Sequence, residues 1–338
     1  MSKTILIITD NLKDQINGVV TTYKNIEACA TRDGYNVVVL DPGWFSYIDC
    51  PGYNEVKIAY PRNLGKKIEE ISPDYIHIAT EGPLGLWARA YLSLGDIRHN
   101  TAYHTKFPEG LKKLFGIPES LTWRFVRWFH KHSGKVLTTT PSMVRELKSH
   151  GFGGEVIPWT RGVDRDIFNP SYRVKTVVNG PVLLCVSRVS KEKNLEAFFE
   201  LDYPGANKIM VGDGPMLDTY RKAYPDVMFT GFRTGVDLAR YYAMADVFVF
   251  PSQWETFGIV MIEAMACGTP VAAYPCQGPE DVIDEGVTGC LNDELKQAVK
   301  DALMLSRQQV WEGSARWTWQ EAWHIFRDNL VEMKSGTR

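Results

Sequence analysis

Glu255 and Glu263 stand eight residues apart with Gly258 between them, directly after the apolar run Val247-Phe248-Val249-Phe250-Pro251. That run reads as a strand buried on both faces, and 259–266 has the composition of a helix. Glu255 then lies on the loop leaving the strand's carboxyl end, and Glu263 lies about one turn into the helix. Backbone N–H groups of Phe257, Gly258 and Ile259 become the open donors of a helix start, a ready place for an anion such as a diphosphate. A carboxylate on each side can grip sugar hydroxyls. Upstream, Arg188 and Lys193 stand five apart after the apolar segment 182–186. A forked guanidinium beside an ammonium makes a clamp for a diphosphate leaving group, and stabilising that charge can be the largest catalytic contribution.

Other candidates sit where strands end. Gly212-Asp213-Gly214 and Gly231-Phe232 follow two further apolar segments. Glycine lets backbone approach a ligand closely, and a nucleotide base can rest near Gly231 and Phe232, although ordinary turns explain each glycine equally well. In the first half, Asn17-Gly18-Val19 opens a helix soon after the first strand. It is not a Gly-x-Gly-x-x-Gly loop, so a nicotinamide reading is weak. Tyr103-His104-Thr105 ends another strand. Asp164-Arg165-Asp166 mimics a metal-binding Asp-x-Asp but belongs to a loop, and no His, Cys or carboxylate cluster has ligand spacing. No metal site is expected.

These residues need a scaffold of strands and helices. Short apolar strands at 5–9, 36–40, 75–79, 101–103 and 136–139 alternate with helical patterns. The alternation restarts at 182–186, 208–211, 227–230, 247–250 and 271–273, after Asn169-Pro170 and Asn179-Gly180-Pro181. This predicts an α/β chain of two doubly wound parallel sheets, with ligands outside the carboxyl ends of the strands and a cleft between the two domains. The expected domains are 1–168 and 169–316. The aromatic-rich tail 317–338 is expected as a helix crossing back over the boundary. At 338 residues the chain is long enough for two cores. Its net charge of −2, divided as +3 over residues 1–170 and −5 over the rest, argues against a general nucleic-acid binder. Six scattered cysteines without a Cys-x-x-Cys read as reduced core thiols. With no apolar stretch long enough for a leader or a span, the expected location is cytoplasmic.

Between Lys106 and Lys135 there are seven basic and two acidic residues, interleaved with Phe107, Phe115, Trp123, Phe125, Trp128 and Phe129. A helix there would spread Trp123, Arg124, Arg127, Trp128 and Lys131 over a basic-aromatic flank. Such a flank suits the inner face of an anionic membrane or a polyanionic acceptor, and a core helix with a solvated basic face is the alternative.

Taken in order, Asn17-Gly18-Val19, Thr80-Glu81-Gly82-Pro83, Tyr103-His104-Thr105, Arg161-Gly162-Val163-Asp164, Arg188 with Lys193, Gly212-Asp213-Gly214-Pro215 and Glu255 to Glu263 resemble glycosyltransferase family four. The resemblance is greatest to its GDP-mannose-dependent α-mannosyltransferases and sulfolipid-type sugar transferases. It implies a GT-B fold of two facing Rossmann-like domains, and a retaining, metal-independent hexosyl transfer in which the nucleotide diphosphate sugar is a substrate and no cofactor is needed. It further implies that Arg188 and Lys193 hold the diphosphate and that Glu255 meets the sugar hydroxyls. Backbone at Phe257, Gly258 and Ile259 assists, Glu263 binds the ribose, Gly18 approaches the diphosphate and His104 the sugar. Gly212, Gly231 and Phe232 complete the donor side, and Asp10, Glu81 and Tyr103 form the acceptor side. Lipid, glycan and a modified nucleic-acid base stay open as acceptors, and a UDP-sugar is the alternative donor. An epimerase, a phosphorylase or a sugar-nucleotide-binding regulator on the same fold are the rival classes.

Overall fold

The computed structural model describes residues 2–50, 53–174 and 179–333, without the side chains of 53–56, 107 and 113–115. The chain divides into two compact units, Met1–Arg161 with Trp319–Arg338, and Gly162–Thr318.

The first unit runs β1 (Thr4–Ile8), α1 (Gly18–Arg32), β2 (Asn36–Leu40), β3 (Ser46–Cys50), β4 (Tyr53–Tyr60), α2 (Leu64–Ile71) and β5 (Tyr75–Ile78). It continues with α3 (Pro83–Leu94), β6 (Asn100–Tyr103), α4 (Phe107–Phe115), α5 (Glu119–His130), β7 (Lys135–Thr138), α6 (Pro141–Ser149) and β8 (Glu155–Pro158). Its parallel sheet has the order β2-β1-β5-β6-β7-β8. Because successive strand residues face opposite ways, Ile5 and Ile7 meet α1 on one face. Leu6, Ile8, Ile76 and Ile78 meet α2, α3 and α5 on the other. β3 and β4 form a separate antiparallel ribbon that sequence periodicity did not reveal.

The second unit runs β9 (Val182–Val186), α7 (Glu196–Phe199), β10 (Asn207–Val211), α8 (Leu217–Ala223), β11 (Met228–Gly231), α9 (Gly235–Met244) and β12 (Val247–Phe250). It closes with α10 (Ile259–Ala266), β13 (Val271–Ala273), α11 (Pro279–Val282), β14 (Gly289–Leu291), α12 (Leu295–Ala302) and α13 (Arg307–Gly313). The sheet is again parallel, in the order β11-β10-β9-β12-β13-β14.

The expected boundary shifts, whereas the last helix returns to the first part of the chain as expected. The division between units falls at Arg161/Gly162 instead of 168/169, because Val163 and Phe168 are buried in the second unit's core. The last helix, α14 (Trp319–Asp328), is part of the first unit. Trp323 and Phe326 are buried against Ile5, Ile7 and Trp159, and the Trp159 indole donates to the Ala322 carbonyl at 2.8 Å.

Candidate functional site

In both sheets the chain first winds outward to one side of a central strand and then returns to its other side. The carboxyl ends flanking that reversal are where an α/β sheet offers a crevice. In the second unit the reversal lies between β9 and β12. The loop after β9 carries Arg188 and Lys193, and the loop after β12 carries Glu255. The two loops are fastened together. Lys193 Nζ lies 3.0 Å from Glu255 Oε2, and the Asn194 amide donates to the Pro251 carbonyl at 3.0 Å. Asn194 adopts the left-handed conformation that turns its side chain across. Glu255 holds the Lys193 ammonium above its ordinary range, against burial and against the like charge of Arg188. Arg188 itself is exposed. Arg188, Lys193 and Glu255 therefore share this edge, with Glu192 adding to the field that holds Lys193 charged.

Gly258 caps α10 with φ 83° and, as a glycine, has no side chain to accept from the helix's first amides. The φ alone calls for glycine, and a β-carbon would also crowd Met261 Cε at 2.7 Å. Phe257 is buried, its ring edge-on to Trp317 at 5.4 Å. Ile259 is half-buried. Glu263 is one turn into α10. Burial pushes its carboxyl up to about 7, while the Tyr242 hydroxyl, 2.9 Å from Oε2, opposes the rise. Sequence reasoning missed Tyr242. Its signal was a tyrosine in an apolar helix face, since a buried phenol needs a partner.

The glycines at strand ends divide into two kinds. A β-carbon on Gly212 would lie 1.9 Å from the Ser187 carbonyl, and one on Gly214 would lie 2.5 Å from that of Val189. Val189 N donates to Asp213 O at 2.9 Å, so this loop packs on the Arg188 loop as backbone on backbone. At Gly212 the close approach of a neighbouring loop is itself a reason for glycine. Gly231 differs: its φ is 74°, and nothing lies within 4 Å of where a β-carbon would stand. Phe232 beside it is 42% exposed, so a flat group has both space and a ring to lie on.

In the first unit the reversal lies between β1 and β5, and Asp10 follows β1. Its carboxylate accepts from Leu84 N at 2.6 Å, Gly85 N at 3.3 Å and Thr80 Oγ1 at 2.7 Å. It thereby caps α3, a role in local structure that the acceptor-side expectation did not foresee. Burial raises its pKa to about 6 against those bonds. Glu81 is buried with His130 Nε2 at 3.3 Å, and His130 Nδ1 meets Thr101 Oγ1 at 2.7 Å. The Tyr103 side chain lies in the core near Trp123. Gly18 is exposed at the start of α1, where the Asn17 side chain accepts from Val19 N and Val20 N.

His104 is buried, with both ring nitrogens engaged: Arg161 Nη2 at 2.9 Å from Nδ1 and Tyr23 Oη at 2.9 Å from Nε2. Tyr23 Oη also lies 2.7 Å from His77 Nε2. A guanidinium only donates, so His104 Nδ1 accepts, Nε2–H donates to Tyr23, and Tyr23 donates to His77. Burial holds both imidazoles neutral, His77 with a pKa of about 3 and His104 well below its ordinary value. The ring is thus committed to a buried chain of hydrogen bonds, a setting that strand-end position alone did not signal.

Asp164 Oδ1 accepts from Asp166 N at 3.0 Å, which makes that Asp-x-Asp a turn. Among the described residues no group of three or more His, Cys, Asp or Glu is arranged to hold a metal ion, and no helix is long and apolar enough to cross a membrane.

Two family models match, described as Glycosyltransferase Family 4 over residues 16–167 and as Glycosyl transferases group 1 over 171–306. The chain belongs to glycosyltransferase family four. Its relatives include a sulfoquinovosyl transferase of Arabidopsis thaliana, 30% identical over 81% of this chain and 56% of that protein. The match thus spans little more than half of that relative's length. A GDP-mannose-dependent alpha-mannosyltransferase of Corynebacterium glutamicum is 26% identical over 94% of this chain and 86% of that protein. An alpha-monoglucosyldiacylglycerol synthase of Streptococcus pneumoniae is 26% identical over 88% and 78%. Among solved structures, the sucrose-phosphate synthase of Thermosynechococcus elongatus superposes with a TM-score of 0.78 at 18% identity, covering 96% of this chain and 98% of that one. The family-four chain therefore has the GT-B fold, with each unit one of its Rossmann-like halves.

Proposed function

We propose that the protein moves a hexose from a nucleoside diphosphate sugar to a hydroxyl of a lipid or glycan, with GDP-mannose as the first donor to test. The observation that carries this is the Lys193–Glu255 pair beside Arg188 and the uncapped start of α10. Cations and helix amides face the diphosphate there, and a carboxylate faces the sugar. As the sugar's C1–O bond to phosphate breaks, Arg188, Lys193 and the amides of Phe257–Ile259 take up the developing charge. The acceptor oxygen bonds to C1 on the same face, and its proton passes to the departing diphosphate, so configuration is retained and no metal is required. The base rests at Gly231 and Phe232, and Glu263 receives the ribose hydroxyls. The mannosyltransferase relatives favour GDP-mannose, the sulfoquinovosyl transferase relative keeps other sugars open, and a UDP-linked sugar is the second reading.

The test is nucleoside diphosphate release from a panel of GDP- and UDP-sugars with lipid and glycan acceptors, run with and without EDTA. Proton NMR of the product reads the anomer. Release only with an acceptor, in EDTA, with an α-product from an α-donor, is expected. Turnover without acceptor would mean an epimerase, and donor binding without release a regulator.

A lipid acceptor suits the outer layer of the first unit. On α5, Leu121, Arg124 and Trp128 are exposed at helical spacing with Lys131 at its C-cap, and Trp87 and Leu94 are exposed on the neighbouring α3. Trp123 and Phe129 of the same helix are core residues, which narrows the flank expected from sequence. The side chains of Phe107, Lys113 and Phe115 lie outside the described residues. This stripe joins apolar and basic groups as an anionic membrane surface requires, and peripheral docking there would bring the enzyme to its acceptor.

A further inference from the structure

We propose that Tyr242 positions the donor through Glu263: its buried phenol fixes one oxygen of that carboxylate so that the other meets the ribose hydroxyls of the nucleoside diphosphate. The inference rests on the donor reading above.

Tyr242 lies on α9, 21 residues before Glu263, and is completely buried. Its ring is held by Phe248 at 5.5 Å and Phe168 at 6.0 Å, and Thr269 Oγ1 donates to its carbonyl at 2.6 Å. The ring is therefore a fixed post, and its O–H points at Glu263 Oε2 from 2.9 Å. A phenol has one proton to give, and giving it to a carboxylate orients the acceptor as well as stabilising its charge.

The other charged groups around α10 are committed elsewhere. From α13, Arg307 donates to the carbonyls of Ala243 and Ala245 and to Thr269 Oγ1. From residues 314–316, Arg316 pairs with Asp284 and donates to the Val282 carbonyl. One turn along α10, burial pushes the Cys267 thiol far up, so it stays neutral. β12 and β13 bring no titratable side chain. Tyr242 alone, among the described residues, opposes the burial that pushes the Glu263 carboxyl up to about 7. Removing its hydroxyl raises that pKa further, so less carboxylate is present at neutral pH and more base is needed to recover it.

The test is calorimetric binding of GDP, UDP and their 2′-deoxy forms from pH 6 to 9 to wild type, Tyr242→Phe and Glu263→Gln. For the preferred diphosphate, Tyr242→Phe is expected to bind about tenfold more weakly at pH 6.5 and within about threefold of wild type at pH 9, since one pKa unit is a factor of ten. The loss is smaller for the 2′-deoxy ligand. In Glu263→Gln, which has no carboxylate to orient, adding Tyr242→Phe changes little. A Tyr242→Phe loss that is equal at every pH and for both ligands, or no loss at all, overturns the inference. Wild type that binds neither diphosphate at any pH overturns the donor reading instead.

Discussion

Lys193 and Glu255, 62 residues apart in sequence, form an ion pair of 3.0 Å that joins the two loops at the sheet's reversal point. In the proposed function, a donor arriving there meets charges already bound to each other. The diphosphate and the sugar must draw the pair apart or bind with it intact, and either way each partner sets the other's position.

Lys193→Ala is expected to lower kcat/KM by 10²–10³, the loss of one charged contact in the transition state of about 3–4 kcal/mol. Because removing Lys193 leaves Glu255 half-buried without its cation, Lys193→Ala/Glu255→Gln should cost less than the sum of the two single changes. Initial rates for the four proteins give the coupling. Near-native rates for Lys193→Ala would remove it from the site.

Gly212→Ala places a methyl 1.9 Å from the Ser187 carbonyl, a backbone atom that cannot rotate away. A loss of more than about 3 kcal/mol in denaturant unfolding is expected. Gly231→Ala meets no atom within 4 Å and carries only the strain of φ 74°, about 1 kcal/mol. Equal losses would contradict the distinction between a packed and an open glycine.

Asp10 titrates near 6 in the folded chain against 3.8 for a free side chain, because burial outweighs its bonds from Thr80, Leu84 and Gly85. The folded state then binds more protons than the unfolded one between those values, so this group's stabilisation is complete below pH 4 and lost as pH rises through 6. Asp10→Asn has no such titration. Its melting temperature should gain on wild type by about 2–4 °C between pH 4 and 7, read by thermal melts at fixed ionic strength. A pH-independent difference would mean the carboxyl titrates normally.

Leu121→Ala/Arg124→Gln/Trp128→Ala/Lys131→Gln should reduce sedimentation with anionic vesicles about tenfold, and salt should release the wild type. Wild type that ignores anionic vesicles at low salt refutes the docking surface, and a shift of DNA under those conditions turns attention to a nucleic-acid acceptor.

The central strands were legible because residues such as Ile5–Ile8 and Val182–Val186 are buried on both faces and read as unbroken apolar runs. The ribbon of β3 and β4 escaped because β3 is mostly exposed, so burial imposes no pattern on it. The edge strand β8 exposes Glu155 and Pro158, and β14 has three residues including a glycine. Candidate site residues on strand-end loops can be named from sequence by type. Their pairings cannot, since Lys193 with Glu255 and Tyr242 with Glu263 depend on which strands become neighbours. Asp10 shows the converse: a carboxylate in a suggestive place can belong to a helix cap.

Trp323 and Phe326 complete the core around Trp159, although the Trp159–Ala322 hydrogen bond spans 163 residues. A ribosome releases the whole second unit before it releases α14. Until then the first unit carries an uncovered apolar surface around Trp159, Ile5 and Ile7, while Gly162–Thr318 already holds every residue of its own core. Maturation of the chain is therefore ordered in time, with the second unit able to close first and the half that opens the sequence finished last.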